Sequence, residues 1–395
     1  WGAISHCTFC GLNGESMSHR SKDQEKFLQE LNELTNKYGV YSVEIVDNIL
    51  DMSYFQKMIP QLALEDKGYD IFYETKSNLN KQKLQLLSDA GIRWLQPGIE
   101  SLDNTILKMI GKGTSSRINL QLMKWAQEKG IFILWILLYD LPGEEDEPYM
   151  DMAKMFPSIS HFQPPSGLSF IQINRFSPYQ MRPKDYGINL SPDRAYSYVY
   201  PWSEQSINDF AYFFDDYTVH RPVVDYTENN KPNIRPGIDA VKDSIGYWQD
   251  EWNMRRGNNT DPESQDRTLI YVDKSDTLTI YDSRTRAVKN KYELTGLSRL
   301  IYIICDQFRS VNAIQRQLMD DFNKEATIDE IKAILTDFHS SDIVLYIDDQ
   351  YFSTAFEFPF YRPLPNRHNY PGGRLYSKLE AKNLQILKLA DQALL

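Results

Sequence analysis

Apolar positions along the first half of the chain switch repeatedly between two periods. Over residues 22–38, Phe27, Leu28, Leu31 and Leu34 recur at the spacing of one helix face, and Gly39 follows as a stop. Residues 41–46 are rich in β-branched and aromatic side chains and predict a strand. The alternation continues with a helix over 54–64, a strand over 69–76 and a helix over 81–90 stopped by Gly91. A strand over 92–100 and a helix over 119–129 ended by Gly130 come next. Residues 131–139 form a near-continuous apolar run, which suits a strand covered on both faces. Leu141-Pro142-Gly143 turns the chain, and 168–176 is the last strand of the series. Repeated strand–helix units predict an α/β fold with a parallel sheet, helices outside, and a closed or partly closed TIM-like (β/α) barrel over 1–200.

The pattern then changes. Residues 201–264, rich in Pro, Tyr and Asn, read as a connector packing on the barrel, with one helix over 238–252. Its aromatic stretch 210–215 reads as packing. Two strands, 268–272 and 277–281, flank a turn at 273–276, and a third follows at 291–294. Helices are predicted over 298–308, 311–322 and 328–339, then a hairpin of 343–347 and 350–354 turning on Asp348-Asp349. Three strands, three helices and a wing describe a small α+β winged-helix module over 265–356, expected to fold without the barrel. Residues 357–395 read as a surface strap and a closing helix.

Composition narrows the function classes. With 395 residues, 42% hydrophobic and 13% aromatic, the chain can fill more than one core. A net charge of -11 makes nucleic acid a poor partner. The run 131–138 is too short to span a bilayer, so no membrane partner is expected. Three cysteines give no disulfide framework, and a reducing cytoplasm is the default location. The chain opens at Trp1, so further residues are expected upstream.

Cys7-Thr8-Phe9-Cys10 stands at the head of the barrel. Two thiolates at this spacing can face one soft metal centre, and Gly11 and Gly14 let the backbone turn closely around it. Three other readings stay open: two buried thiols in a turn, a thioredoxin-type pair, and a structural zinc site completed by His6 and His19. The thioredoxin reading expects the motif to open a helix, which Gly11-Leu12-Asn13-Gly14 would break. Polar residues mark the predicted strand ends: Asp47 and Asn48, Lys76 and Asn78, Gln96 and Glu100, and Asp140. Singly, each has a plain alternative: a turn for Asp47-Asn48, a solvated Lys76, a cap by Glu100-Ser101 on a helix starting near Asp103.

Residues 1–14 resemble the cluster loop of radical S-adenosylmethionine enzymes. More narrowly, they resemble the maturases of ribosomally synthesised peptides that usually carry an N-terminal cobalamin-binding domain. Val-Asp-Asn-Ile-Leu at 46–50, Tyr-Glu-Thr-Lys-Ser-Asn-Leu at 73–79 and Gln-Pro-Gly-Ile-Glu-Ser at 96–101 match that family in order and spacing. So do Leu-Leu-Tyr-Asp-Leu-Pro-Gly-Glu at 137–144 and Arg-Phe-Ser-Pro at 175–178. The resemblance implies a 4Fe-4S cluster on three cysteines: Cys7, Cys10 and one expected two positions upstream of Trp1. Cys305 reads as a core residue in an apolar helix. S-adenosyl-L-methionine would bind the open iron. The resemblance implies Phe9 over the cluster with its backbone toward adenine, Asp47 and Asn48 at the amino group, Lys76 at the carboxylate, and Gln96 and Glu100 at the ribose hydroxyls.

It also implies an activity: radical functionalisation of an unactivated carbon in a precursor peptide, with cobalamin-dependent C-methylation as the reaction. Flavodoxin or ferredoxin would supply electrons. The C-terminal module resembles a peptide-recognition element that takes up the precursor's leader as an extra strand. That strand would lie on Lys291, Tyr292, Glu293 and Leu294, walled by the helix over 328–339. Arg284, Arg286, Lys289 and Lys291 would steer an acidic leader, or form a solvated loop. A catalytically inactive peptide-binding protein is the competing reading.

Overall fold

The computed structural model describes residues 7–12, 20–216, 235–253 and 268–358. His6, Gly14, His19 and the predicted strap and helix beyond 358 lie outside the described residues. The helix α1 (Gln24–Tyr38) starts under the Asp23 carboxylate, which accepts from the N–H groups of Glu25 and Lys26, and stops at Gly39 with φ 63°. The strand β1 (Ser42–Glu44) follows. The helix predicted over 54–64 is split into a tight turn, Met52–Gln56, and α2 (Met58–Glu65). Lys57 leaves helical backbone there, at φ −140°. The series runs on through β2 (Asp70–Glu74), α3 (Lys81–Asp89), β3 (Ile92–Gln96), α4 (Asn104–Met109) and α5 (Ser116–Glu128). Then come β4 (Phe132–Ile133), β5 (Leu137–Tyr139), α6 (Glu147–Met155), β6 (Leu168–Phe170) and β7 (Ile173–Asn174).

Strands β1 to β4 pair in order, all parallel. Pairing passes to β5 through an isolated bridge between Glu100 and Leu137, and β5 pairs in parallel with β6. The result is an α/β array with the parallel pairing of a partial barrel. The predicted continuous strand over 131–139 is interrupted at 134–136 because its neighbour fails there. Pro97 has no N–H to offer, and Gly98 turns at φ 54°. Segment 168–176 likewise divides into β6 and β7.

The connector carries more structure than its composition predicts. It holds α9 (Glu204–Phe210) and β9 (Phe213–Asp216), and the last part of the predicted barrel segment before it holds α7 (Pro178–Met181), β8 (Leu190–Pro192) and α8 (Ala195–Val199). Strand β9 sits between β7 and β8 in a small antiparallel sheet. Helix α10 (Pro236–Asn253) packs on α6, with the buried Trp248 donating to the Phe162 carbonyl at 2.7 Å. Among the described residues, no helix is long and apolar enough to cross a membrane.

The C-terminal part begins with β10 (Leu269–Lys274), β11 (Thr277–Asp282) and β12 (Lys291–Thr295), an antiparallel meander. Helices α11 (Gly296–Ile304), α12 (Val311–Phe322) and α13 (Ile328–Ser340) follow, then the hairpin of β13 (Val344–Ile347) and β14 (Gln350–Ser353). The hairpin turns on Asp348 and Asp349, both at positive φ. A short strand absent from the sequence reading, β15 (Phe356–Glu357), adds in parallel to β10.

This part has its own apolar cluster around Leu278, Ile280, Tyr302 and Leu335, but it is not self-contained. Ile270, Phe308, Leu345, Phe352 and Phe356 belong to the barrel's core. Lys124 of α5, fully buried, donates to Asp306 at 2.6 Å and to the Ser353 carbonyl at 2.9 Å. Lys81 and the Trp125 indole also reach Asp306, each at 3.2 Å. The expectation that the module stands free of the barrel is therefore revised. So is the steering role of Arg284, which is buried. It grips Asp282 through two nitrogens, at 2.9 and 2.7 Å, and donates to the Ser158 carbonyl at 2.7 Å. Arg286 pairs with Asp342 at 2.7 Å.

Asp306 carries the docking contact, and its loss leaves the buried Lys124 with Glu128, 3.9 Å away, as its remaining carboxylate. Asp306→Ala is expected to cost about 3–5 kcal/mol. A Lys124→Met/Asp306→Leu double variant should recover most of that. Chemical denaturation of the three proteins, with equal slopes, is the check.

Candidate active site

Cys7 and Cys10 lie in a tight turn closed by the Cys10 N–H donating to the Cys7 carbonyl at 3.2 Å. Three elements hold this turn by its backbone. Thr8 N–H donates to the Ile110 carbonyl at 3.0 Å, Tyr179 N–H to the Thr8 carbonyl at 2.9 Å, and Asn174 N–H to the Phe9 carbonyl at 3.0 Å. Gly11 lies against the next stretch of chain. A Cβ there would stand 1.7 Å from the Arg175 carbonyl oxygen. Phe9 packs partly buried against the barrel core. Its carbonyl is taken by Asn174, so the backbone group left to a ligand is its N–H.

Burial pushes both thiols up from their ordinary range. The Lys112 ammonium is the largest charge opposing this at Cys7. At Cys10 it comes second to the Leu12 N–H. Glu100 raises both, Lys76 lowers Cys7, and Glu74 raises Cys10. The structure thus gathers Cys7, Cys10, Lys76 and Glu100 into one electrostatic neighbourhood, together with Lys112 and Glu74, which sequence reasoning missed.

Glu100 sits at φ 58°, a left-handed backbone that a non-glycine residue adopts only when its surroundings impose it. The buried Asn119 imposes it, donating to the carbonyls on either side, Ile99 at 3.1 Å and Ser101 at 2.9 Å. The Glu100 carboxylate accepts from Lys112 at 2.8 Å. The capping role falls to Asp103, whose carboxylate accepts from Thr105 and Ile106 N–H and starts α4. Glu100 is not used as a cap.

Asp47 belongs to a second group, following β1, where it accepts from the buried Tyr73 hydroxyl at 2.6 Å. Asn48 is exposed beside it, and Gln96 is exposed at the end of β3, its carbonyl taken by Thr75 N–H. Lys76 is half-buried. Burial lowers its ammonium, and the Cys7 thiol counters that. Asp140 ends β5 at φ 72°, and its N–H donates to Glu144 at 2.8 Å. Lys291, Tyr292, Glu293 and Leu294 lie on β12, in the C-terminal part.

The readable trace of Lys112 in the sequence is Gly111 and Gly113 on either side, which mark a turn; both are at positive φ. Nothing in the spacing brings that turn to the cysteines.

The donor set suits a soft metal centre: two desolvated thiols, an adjacent cation, and a glycine where a side chain cannot stand. Cys305 is buried in the C-terminal core, where burial pushes its thiol up to about 12. Among the described residues, no group of three or more His, Cys, Asp or Glu could hold a metal ion.

Residues 4–156 match the model of the radical SAM superfamily. The chain carries a radical SAM domain. An uncharacterized methyltransferase of Pyrococcus horikoshii is 25% identical over 150 residues, covering 37% of this chain and 33% of the relative. The anaerobic magnesium-protoporphyrin IX monomethyl ester cyclase of Synechocystis is 22% identical over 153 residues, covering 38% and 31%. The chain spans about a third of the length of these curated relatives. Among solved structures, the radical S-adenosylmethionine methyltransferase TsrM from Kitasatospora setae, with cobalamin and a 4Fe-4S cluster bound, aligns with a TM-score of 0.39. That match has 15% identity over 45% of this chain and 37% of TsrM. Coproporphyrinogen III oxidase of Escherichia coli aligns over 88% and 83%, at a TM-score of 0.32 and 12% identity. No residue role is carried over from matches this distant.

Gly11→Ala tests the packing of the radical SAM loop. The added methyl must displace the loop or Arg175, at a cost of about 1–3 kcal/mol. In full-length protein, iron bound after anaerobic reconstitution should fall well below that of the unaltered protein, while the far-ultraviolet circular dichroism stays the same.

Proposed function

We propose that this chain is the catalytic barrel and peptide-docking part of a radical S-adenosylmethionine enzyme. Its substrate is a ribosomally synthesised precursor peptide, modified at an unactivated carbon by cobalamin-dependent C-methylation. The observation that carries the reading is the thiol turn of Cys7 and Cys10, held by its backbone beside Lys76, Glu100 and Lys112 within a radical SAM domain. Cys7 and Cys10 are two ligands of a 4Fe-4S cluster, with a third cysteine upstream of Trp1. When bound, the cluster supplies the electron that splits the sulfonium of S-adenosyl-L-methionine, delivered by a flavodoxin or ferredoxin.

The chain's own residues bind and orient. Asp47, its carboxylate fixed by Tyr73, accepts from the amino group, with Asn48 beside it. Lys76 faces the carboxylate as a cation. Glu100 and Gln96 accept from ribose hydroxyls, Glu100 through the oxygen that Lys112 leaves available. Phe9 covers the cluster and its N–H faces adenine. No residue of this chain is assigned to cobalamin; the methyltransferase relative from Pyrococcus horikoshii supports the methyl-transfer part of the reading.

The peptide would dock on β12. Among the described strands, β12 pairs with β11 alone, at the end of its sheet. Asp282 N–H donates to the Asn290 carbonyl at 3.0 Å, and antiparallel pairing alternates from there. Tyr292 and Leu294 then bond to β11, while the backbone of Lys291 and Glu293 faces outward. Glu293 offers a leader its main-chain partners, in a C-terminal part with the element order of a winged-helix recognition module. Lys289, over the Tyr292 ring at 5.8 Å, and Lys291, 3.1 Å from Glu293, are the cations on this side.

Two measurements test the reading. Full-length protein should turn brown on anaerobic reconstitution with iron and sulfide, and Cys7→Ala should abolish the colour. A colourless zinc protein, or a full cluster in Cys7→Ala, overturns the ligand assignment. For the peptide, Glu293→Pro removes one outward N–H and leaves the β11 ladder intact. Calorimetry with synthetic leader should show binding lost in Glu293→Pro and kept in Glu293→Ala; equal affinities in both would move the docking strand elsewhere.

A further inference from the structure

We propose that Arg235 is a positioning residue of the cofactor site, and that helix α10, which it precedes, couples that site to the strand offered to the peptide. Cofactor binding at the end of β5 and docking on β12 then favour each other. The inference rests on the cofactor reading of Glu100 and the docking reading of β12, and it names how the two sites are joined.

One end of α10 is fixed to the turn after β5. Arg235 donates to the Glu144 carboxylate at 2.8 Å and to Asp146 at 3.0 Å. Asp146 also accepts from the Gly237 N–H, in the first turn of α10. Only glycine fits there, since a Cβ would stand 2.4 Å from the Asp146 carbonyl oxygen. The buried Glu144 side chain gathers the turn. It accepts from Asp140 N–H at 2.8 Å, Leu141 N–H at 3.0 Å and the Tyr149 hydroxyl at 2.6 Å. These bonds hold Asp140 in its left-handed backbone, at φ 72°. Just before it, Leu138 N–H donates to the Glu100 carbonyl at 2.9 Å. Arg235 is thus joined through Glu144 and β5 to the residue proposed to accept from the ribose.

The other end is fixed to the C-terminal part. Glu251, buried, accepts from the Thr285 N–H at 3.3 Å and from the Thr285 hydroxyl. The loop carrying Thr285 runs directly into β12 at Lys291. Between its ends, α10 is seated on α6 and the segment that follows. The Ser244 hydroxyl donates to the Ala153 carbonyl at 3.0 Å, the Trp248 indole to Phe162 at 2.7 Å, and the Gln249 amide to Pro165 at 2.9 Å. Its 18 residues make a rod about 27 Å long. Held at both ends and along its length, the rod moves as one body. A ligand that orders one end leaves less entropy to be lost at the other, which gives positive coupling without a change of shape. Such coupling is reciprocal. A helix that only filled space would hold both ends without transmitting occupancy.

The probe is S-adenosyl-L-methionine, added to full-length protein reconstituted anaerobically with iron and sulfide. Calorimetry reads its affinity, and hydrogen exchange followed by mass spectrometry reads the backbone of residues 283–295. In the parent, the cofactor should slow exchange over 283–295 by about fivefold. Glu251→Ala should bind the cofactor as the parent does and lose that protection, and Thr285→Val, which removes one donor from the same contact, should reduce it. Arg235→Met should weaken cofactor binding roughly tenfold, the effect of losing a charge-assisted contact, and lose the protection as well. Arg235→Lys, which keeps an ion pair with Glu144, should recover most of both. If Arg235→Met does not fold, Arg235→Lys, Glu251→Ala and Thr285→Val decide. Cofactor binding with unchanged exchange over 283–295 overturns the coupling and leaves the cofactor reading standing. Protection that survives both Glu251→Ala and Thr285→Val overturns the route through α10, and unchanged affinity in Arg235→Met overturns its positioning role. A parent that binds no S-adenosyl-L-methionine overturns this inference together with the cofactor reading. No peptide enters the experiment, so a failure of the docking reading stays distinguishable.

Discussion

Thr8 and Phe9 give their backbone groups to three separate parts of the chain: Ile110 after α4, Asn174 on β7 and Tyr179 on α7. A short loop with few apolar side chains has little else to anchor it. Backbone hydrogen bonds, shielded by the core behind them, hold it without using up the side chains that do chemistry. The position of the Cys7 and Cys10 sulfurs is thus set by elements 100 or more residues away in sequence. Gly11 is the cost of that closeness, since the approach to the Arg175 carbonyl leaves no space for a side chain.

A second constraint fixes the C-terminal part relative to the barrel. Burying Lys124 is expensive, and its pairing with Asp306 and the Ser353 carbonyl offsets the cost only in one arrangement. Apolar packing of Phe308, Phe352 and Phe356 supplies area, while the ions supply register. The hairpin tip adds a contact of its own: Asp348 accepts from Asn104 at 2.7 Å, and Asn104 in turn accepts from Ser116 N–H at 2.9 Å. Those residues begin α4 and α5, the two helices that bracket the Lys112 loop. The C-terminal part and the Lys112 loop are therefore built on the same helices.

Periodicity alone was enough to read α1, α3, β2, β3, α12, α13 and the terminal hairpin, because each buries one regular face or ends on a clear stop such as Gly39 or Asp348-Asp349. The Cys7-Thr8-Phe9-Cys10 motif and the polar residues at strand ends were also legible, since a parallel sheet presents its strand ends on one side. Short elements were not. α4 and β15 are too brief to show a period, and the interruption at 134–136 arises from Pro97 and Gly98 on the neighbouring strand. Arg284 shows the limit most plainly: in sequence it belongs to a basic run, and in space it is buried against Asp282. The sequence by itself determined the order of elements, the two thiols and the strand-end acceptors, because these depend on residues near one another in the chain. Tertiary structure alone decided that Lys112 meets Glu100, that Asp103 and not Glu100 caps α4, and that Asp306 receives Lys124. Those pairings depend on which distant loops the packed core brings together, and no local pattern encodes that.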